Sequence, residues 1–173
     1  DDREPHWTDI VDFLIRVTEF FRDPTAFDAL RHDVLPTICE GRSPKEPIRV
    51  WVPGCATGEE VYSLAICILE SLGKRAAEMR IQIFGTDLSD AMIDHARTGV
   101  YSSAVEKDVS AKRLKRFFIK RDGTYQITRH VREVCTFARQ NVVTDPPFSR
   151  LDIVSCRNVL IYLGPDLHKR CIP

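Results

Sequence analysis

Hydrophobic positions in the first forty residues recur at helical spacing. Ile10, Val11, Phe13, Leu14 and Val17 follow Thr8. Asp23-Pro24 is a second start signal, a capping side chain before a proline whose missing N–H is no loss at the first helical position. Phe27, Leu30, Val34 and Ile38 then line one face until Gly41 and Pro44 end the region.

From about residue 46 the pattern alternates between strand and helix. Ile48 to Val52 is a short β-rich run halted by Pro53-Gly54. Glu59 to Leu72 has the spacing of an amphipathic helix, with Val61, Leu64, Ala65, Ile68 and Leu72 inward and Gly73 at the C-cap. Arg80 to Thr86 is a second strand. Ser89 caps a third helix carrying Met92, Ile93 and Ala96, closed by Gly99. This order predicts an α/β fold with a parallel sheet and right-handed crossovers. Ser110 to Arg116 reads as a short basic helix. Phe117 to Ile119 and Tyr125 to Thr128 flank a hairpin turn containing Gly123, and Val131 to Phe137 reads as a further strand. Together they predict a small antiparallel β-subdomain inserted at about 117–137. Leu151 to Ser155 is a last apolar strand.

Composition adds exclusions. The chain has 173 residues, enough for one domain with a real core, and its 25 Lys+Arg balance 25 Asp+Glu. Zero net charge argues against a general nucleic-acid binder. No uncharged run approaches the roughly 18 apolar residues of a membrane span. Asp1-Asp2-Arg3-Glu4 lacks the pattern of a signal peptide, so a cytoplasmic protein without membrane insertion is expected. The six cysteines form no C-x-x-C pair and read as reduced, mostly buried thiols. The His residues show no metal-ligand spacing, so no metal is expected.

Three places carry candidate chemistry. Gly54-Cys55-Ala56-Thr57-Gly58-Glu59-Glu60 joins a strand to a helix, and Gly54 and Gly58 let the backbone approach a ligand closely. It is neither a Walker loop nor G-x-G-x-x-G. Glu59 and Glu60 would repel a pyrophosphate at the helix N-terminus but suit a ligand with a cationic end, such as S-adenosylmethionine; as structure alone, they favour the helix dipole. Asp87, at the end of the second strand, suits a ribose diol or a helix entry near Ser89. Asp152, Arg157 and Asn158 interrupt an apolar run near a strand's C-terminal end, where open α/β sheets bind ligands, either for a ligand or for a structural salt bridge.

In combination these blocks resemble the chemotaxis protein methyltransferase family (CheR-type), which methylates receptor glutamates. Thr18-Glu19-Phe20-Phe21-Arg22 is similar to its T-x-F-F-R motif, and Gly54 to Glu60 followed by Tyr62-Ser63-Leu64-Ala65 to its methyl-donor loop and helix. Thr86-Asp87-Leu88-Ser89, Phe137 to Asn141, Asp145-Pro146-Pro147-Phe148 and Cys156 to Tyr162 resemble later blocks in the right order. The finer pattern is similar to versions within larger multidomain signalling proteins.

The resemblance implies a class I methyltransferase (Rossmann-like) sheet over 46–173, preceded by an N-terminal helical segment over 1–45. It implies S-adenosylmethionine as cofactor, held by Thr18, Arg22, Gly54, Glu60 with Glu59 as its adjacent alternative, Asp87, Asn141, Val142, Arg157 and Asn158. Arg22 and Tyr162 are implied near the transferred methyl and the acceptor. The implied product is a glutamyl methyl ester on an acidic helix of a chemoreceptor-type protein, which the basic stretch from Lys107 to Arg121 would steer. The family continues beyond Tyr162 with further strands, so the sheet is expected to lack its C-terminal strands and to self-associate through the edge at Leu151 to Ser155. Two rival functions remain at this level: a non-catalytic module that binds S-adenosylmethionine or a partner protein, and an NAD-linked oxidoreductase, for which the third glycine is absent.

Overall fold

The structure, a computed structural model, describes residues 18–156. The helical run Ile10 to Val17 lies outside them. Helix α1 (Pro24–Ala29) begins as expected, with the Asp23 carboxylate accepting from the Ala26 N–H at 3.3 Å. It runs into a π-helical turn, Leu30–Val34, and then α2 (Leu35–Cys39). The Leu35 N–H reaches back to the Leu30 carbonyl, so the turn holds one residue more than an α-turn and rotates the buried face by about 100°. Leu35 and Cys39 are therefore buried, while Val34, expected inward, is exposed. The interruption falls beside Pro36, which has no N–H to give to the ladder.

Strand β1 (Ile48–Pro53), helix α3 (Glu59–Leu72), strand β2 (Ile81–Asp87) and helix α4 (Asp90–Thr98) follow the alternation read from the sequence. A 3-10 turn, Gly73–Ala77, leads from α3 towards β2. Gly73 caps α3, while Ser89 and Gly99 cap α4. Helix α3 is not amphipathic in the fold: every residue from Val61 to Leu69 is buried. Its outer side is covered by α2 and the π-turn, so serine and cysteine face protein where a two-layer surface helix would face water.

The antiparallel subdomain has three strands rather than a lone hairpin. β3 (Val100–Ser102) leads into a 3-10 arm, Ser103–Lys107, then α5 (Ala111–Phe117), β4 (Phe118–Arg121) and β5 (Thr124–Ile127), in the order β3-β5-β4. Asp122 (φ 44°) and Gly123 (φ 77°) make the two-residue turn, both left-handed as a tight hairpin requires. The segment Val131 to Phe137, expected as one more strand, divides. Helix α6 (Arg129–Arg132) ends inside it, and β6 (Cys135–Arg139) joins the other sheet, parallel to β2.

The main sheet has the order β6-β2-β1-β7, all parallel, with β7 (Ile153–Val154) shorter than the run suggested. Ile48, Val50 and Val52 are buried on one face of β1. On the other, Arg49 lies over the Phe84 ring and Phe148 stacks on Phe84, with centroids 4.4 Å apart. Asp152 fixes β7 beside β1: its carboxylate accepts from the Arg49 N–H and from Arg42, both at 2.8 Å. It therefore lies at the N-terminal end of the strands, away from the glycine loop, and belongs to the salt bridge rather than to a ligand site. Strands are added outward from β1 to β2 and β6, then the chain returns to the far side of β1. That reversal makes the C-terminal ends of β1 and its neighbours the place where open α/β sheets bind ligands.

Candidate cofactor site

The loop after β1 is fastened to the strand ends by its own backbone. The Cys55 N–H donates to the Thr86 carbonyl and the Gly58 N–H to the Cys55 carbonyl, both at 2.9 Å. The Ala56 N–H donates to Asp87 Oδ2 at 2.9 Å, and Asp87 Oδ1 accepts from the Ser89 N–H at 3.0 Å. Asp87 thus serves the helix entry and the loop together, and ties β2 to the turn above β1. Each oxygen keeps a second lone pair for a ligand hydroxyl. Asp87 and Glu59 are in no ion pair among the described residues.

Gly58 is required by its surroundings. Its φ is 94°, and a Cβ there would stand 3.0 Å from Ala96 Cβ and 3.2 Å from the Phe137 ring. Gly85, on β2 below it, would meet the same ring and Val61 at 2.8 Å. The loop can therefore lie low against the sheet only with glycine at both places.

Glu59 and Glu60 begin α3 but point to different partners. The Thr57 hydroxyl donates to both Glu59 oxygens, at 2.8 and 2.7 Å, and the Thr18 hydroxyl reaches Oε2 at 3.3 Å. Burial raises the Glu59 carboxyl above the ordinary carboxylate range, and these hydroxyls pull it partly back. Glu60 accepts from the Ser155 hydroxyl and so connects the loop to the end of β7. Burial, then the Asp87 charge, pushes the Cys55 thiol up, so it stays protonated and is no nucleophile.

Thr18 is brought to Glu59 by two aromatic anchors. Phe20 packs edge-on against Tyr101 and Phe118. Phe21 packs against Phe27 and under the Arg113 guanidinium, and its N–H donates to Ser63 Oγ of α3 at 3.0 Å. The side chain of Arg22, the next residue, is exposed. Asn141 and Val142 follow β6, half-buried, and the Gln140 N–H bonds to the Asp87 carbonyl at 2.9 Å. Asn141 spends its side-chain oxygen on the Val143 N–H, which leaves its amide group to donate. Arg157, Asn158 and Tyr162 lie outside the described residues.

Between Thr18, Phe20, Thr57, Glu59, Tyr101 and Asp108 is a cavity of about 500 Å³, open on one side. Sequence reasoning missed Tyr101, which closes it from the antiparallel sheet, because a tyrosine in a short strand reads as an apolar position. It also missed Ser155, whose only signal is its place at a strand's end.

Glu59 at a helix entry and Asp87 at a strand end, in no ion pair among the described residues, fit a ligand with a cationic end and a ribose. The family model for the CheR methyltransferase SAM binding domain matches residues 16–172. The chain belongs to the CheR methyltransferase family. S-adenosylmethionine is accordingly its cofactor.

Relatives extend the CheR assignment. The chain is 36% identical over 152 residues to a chemotaxis protein methyltransferase of Listeria innocua, covering 88% of this chain and 56% of the relative. It is 34% identical over 159 residues to chemotaxis protein methyltransferase 1 of Vibrio cholerae, covering 90% and 57%. It is also 38% identical over 161 residues to an uncharacterized 104.1 kDa protein of Rhodobacter capsulatus, covering 93% of this chain but 17% of that protein. The chain thus spans a little over half the length of the two chemotaxis relatives. No helix among the described residues is long and apolar enough to cross a membrane.

Proposed function

We propose that this chain transfers a methyl group from S-adenosylmethionine to glutamate side-chain carboxylates of chemoreceptor-type signalling proteins, giving glutamyl methyl esters. The observation that carries the reading is Asp87, held by backbone donors of both the loop and the helix entry, with no cation of its own among the described residues. When bound, S-adenosylmethionine supplies a methyl on a positive sulfur, which a carboxylate takes up as the carbon–sulfur bond breaks.

The chain's residues bind and orient. Asp87 accepts from the ribose hydroxyls, Glu59 and Glu60 face the cationic end, and Asn141 with Val142 receives the adenine side. The family resemblance assigns Arg157 and Asn158 to the same cofactor. A glutamate acceptor is already ionised at neutral pH, so no general base is needed. The work is alignment, and exclusion of the water that solvates the carboxylate. Arg22 and Tyr162 orient it. Since Arg22 also stabilises the ground-state anion, its benefit is positional.

An acidic receptor helix suits the outer face of α5. Arg113 is taken up inside, forked onto Glu70 with its nearest contact at 2.7 Å, and Lys120 is bonded to Glu106. Lys112, Lys115 and Arg116 remain exposed at helical spacing on one side.

The test incubates the protein with S-adenosylmethionine carrying a radiolabelled methyl and with acidic receptor-helix fragments. Label that mild base releases as methanol is expected, and it should drop at least about tenfold in a folded Arg22→Ala variant at saturating S-adenosylmethionine. Base-stable label, or no transfer by a protein that binds S-adenosylhomocysteine, overturns the reading.

A further inference from the structure

Tyr101 lies outside the sequence motifs compared above, yet it is bonded to the glycine loop. Its hydroxyl donates to the Thr57 carbonyl at 2.7 Å, from a side chain only 8% exposed. The parallel sheet holds two N–H groups of this loop, Cys55 on the Thr86 carbonyl and Ala56 on the Asp87 carboxylate. Tyr101 reaches the loop from the antiparallel sheet and holds a carbonyl. The residues on either side of Thr57 are both left-handed, Ala56 at φ 46° and Gly58 at 94°. A peptide between two such residues is set by whatever bonds it, because its neighbours follow no regular ladder.

Thr57 in turn donates its own hydroxyl to both Glu59 oxygens. The ring of Tyr101 also backs Phe20, with centroids 4.8 Å apart, behind the Thr18 hydroxyl that reaches Glu59. Tyr101 is itself held from behind. It pairs with Tyr125 across β3 and β5, and Tyr125 donates to Glu106 on the 3-10 arm, which Lys120 also holds at 2.9 Å.

We propose that Tyr101 is a positioning residue for the cofactor: through Thr57 it sets where the Glu59 carboxylate stands, so that the antiparallel sheet adjusts cofactor affinity. The inference rests on S-adenosylmethionine occupying this loop. It makes Tyr101 act on binding and not on the reacting atoms, since its hydroxyl is spent on a backbone carbonyl.

The test is a calorimetric titration of S-adenosylhomocysteine into the wild type, Tyr101→Phe, Glu59→Gln and the double variant. Phenylalanine keeps the ring packing and removes only the hydroxyl. Tyr101→Phe is expected to bind about tenfold more weakly, the scale of one lost buried hydrogen bond with its acceptor left behind. The KM for S-adenosylmethionine should rise by the same factor while kcat at saturation changes less than about twofold. In the Glu59→Gln background the same change should cost less than about twofold. Thr57→Val, which removes the hydroxyl between them, should reproduce both results and serves if Tyr101→Phe melts early. A wild type that fails to bind S-adenosylhomocysteine overturns the function and this inference together. A wild type that binds, with Tyr101→Phe equal to it or with losses that multiply in the double variant, overturns this inference alone.

Discussion

Asp87 and Asp152 stand at opposite ends of the parallel sheet and make similar bonds. Each uses both carboxylate oxygens, and each accepts a backbone N–H from a strand or loop next to its own: Asp87 from Ala56 and Ser89, Asp152 from Arg49. The difference is the remaining partner. Asp152 also holds the Arg42 guanidinium at 2.8 Å in a pocket where both side chains are about four-fifths covered, so its charge is answered within the fold. Asp87 has no cation among the described residues, and its charge is left for what arrives. An acidic residue at a strand terminus is therefore not by itself a site. The informative observation is whether the fold has already supplied the counter-charge.

Substitutions can break this comparison. The largest effect is expected from Asp87→Ala, which should weaken S-adenosylhomocysteine binding by at least about 100-fold in calorimetry, since it removes a charged acceptor for two hydroxyls. Binding within threefold of wild type would make Asp87 structural, like its counterpart. Asp152→Ala should do the reverse. Denaturant unfolding should show a loss of about 2 kcal/mol, with Arg42 and the Arg49 N–H left unanswered, and affinity for the folded protein should not move.

Glu59 sharpens the contrast through pH. Burial raises its native carboxyl above the unfolded value, so the native state binds the extra proton. The stability this contributes is full below the ordinary glutamate value of about 4.3 and is lost as pH rises through the raised native value. The Tm of the wild type relative to Glu59→Gln should therefore be most favourable at acid pH and fall towards neutrality. S-adenosylhomocysteine affinity should run the other way, weakening in acid. A Tm difference that is flat with pH would mean that Glu59 is not held in this buried setting. The smallest effect is expected from Thr18→Val, whose hydroxyl meets Glu59 at 3.3 Å: a loss of affinity of about twofold to fivefold by the same titration.

Much of this was readable before any coordinates. Both ends of α3 fall where Glu59 and Gly73 predicted, because a helix announces its termini locally. Asp87 was recognisable from its place after a β-rich run. What could not be read is non-local. A parallel strand carries no turn that names its neighbour, so the pattern groups Val131 to Phe137 with the hairpin, whereas Cys135–Arg139 lies beside β2. The π-turn at Leu30–Val34 depends on what packs around it, and helical periodicity continued past it one residue out of phase. Arg113 read as part of a basic surface until Glu70 and Phe21 enclosed it. Of Asp87's two readings, ribose acceptor and helix entry, the Ser89 bond shows the second to be occupied while leaving lone pairs for the first.

The ring of Phe137 fills the space that Gly58 and Gly85 leave open. The glycine loop and strands β2 and β6 are thus fitted to one another through a single side chain. In terms of heredity, these three positions form one unit. A larger residue at Gly85 needs room from Phe137 and Val61 together, so a genetic screen for restored activity in Gly85→Ala should return changes at Phe137 joined to changes at Val61, remote in the chain from the lesion they repair.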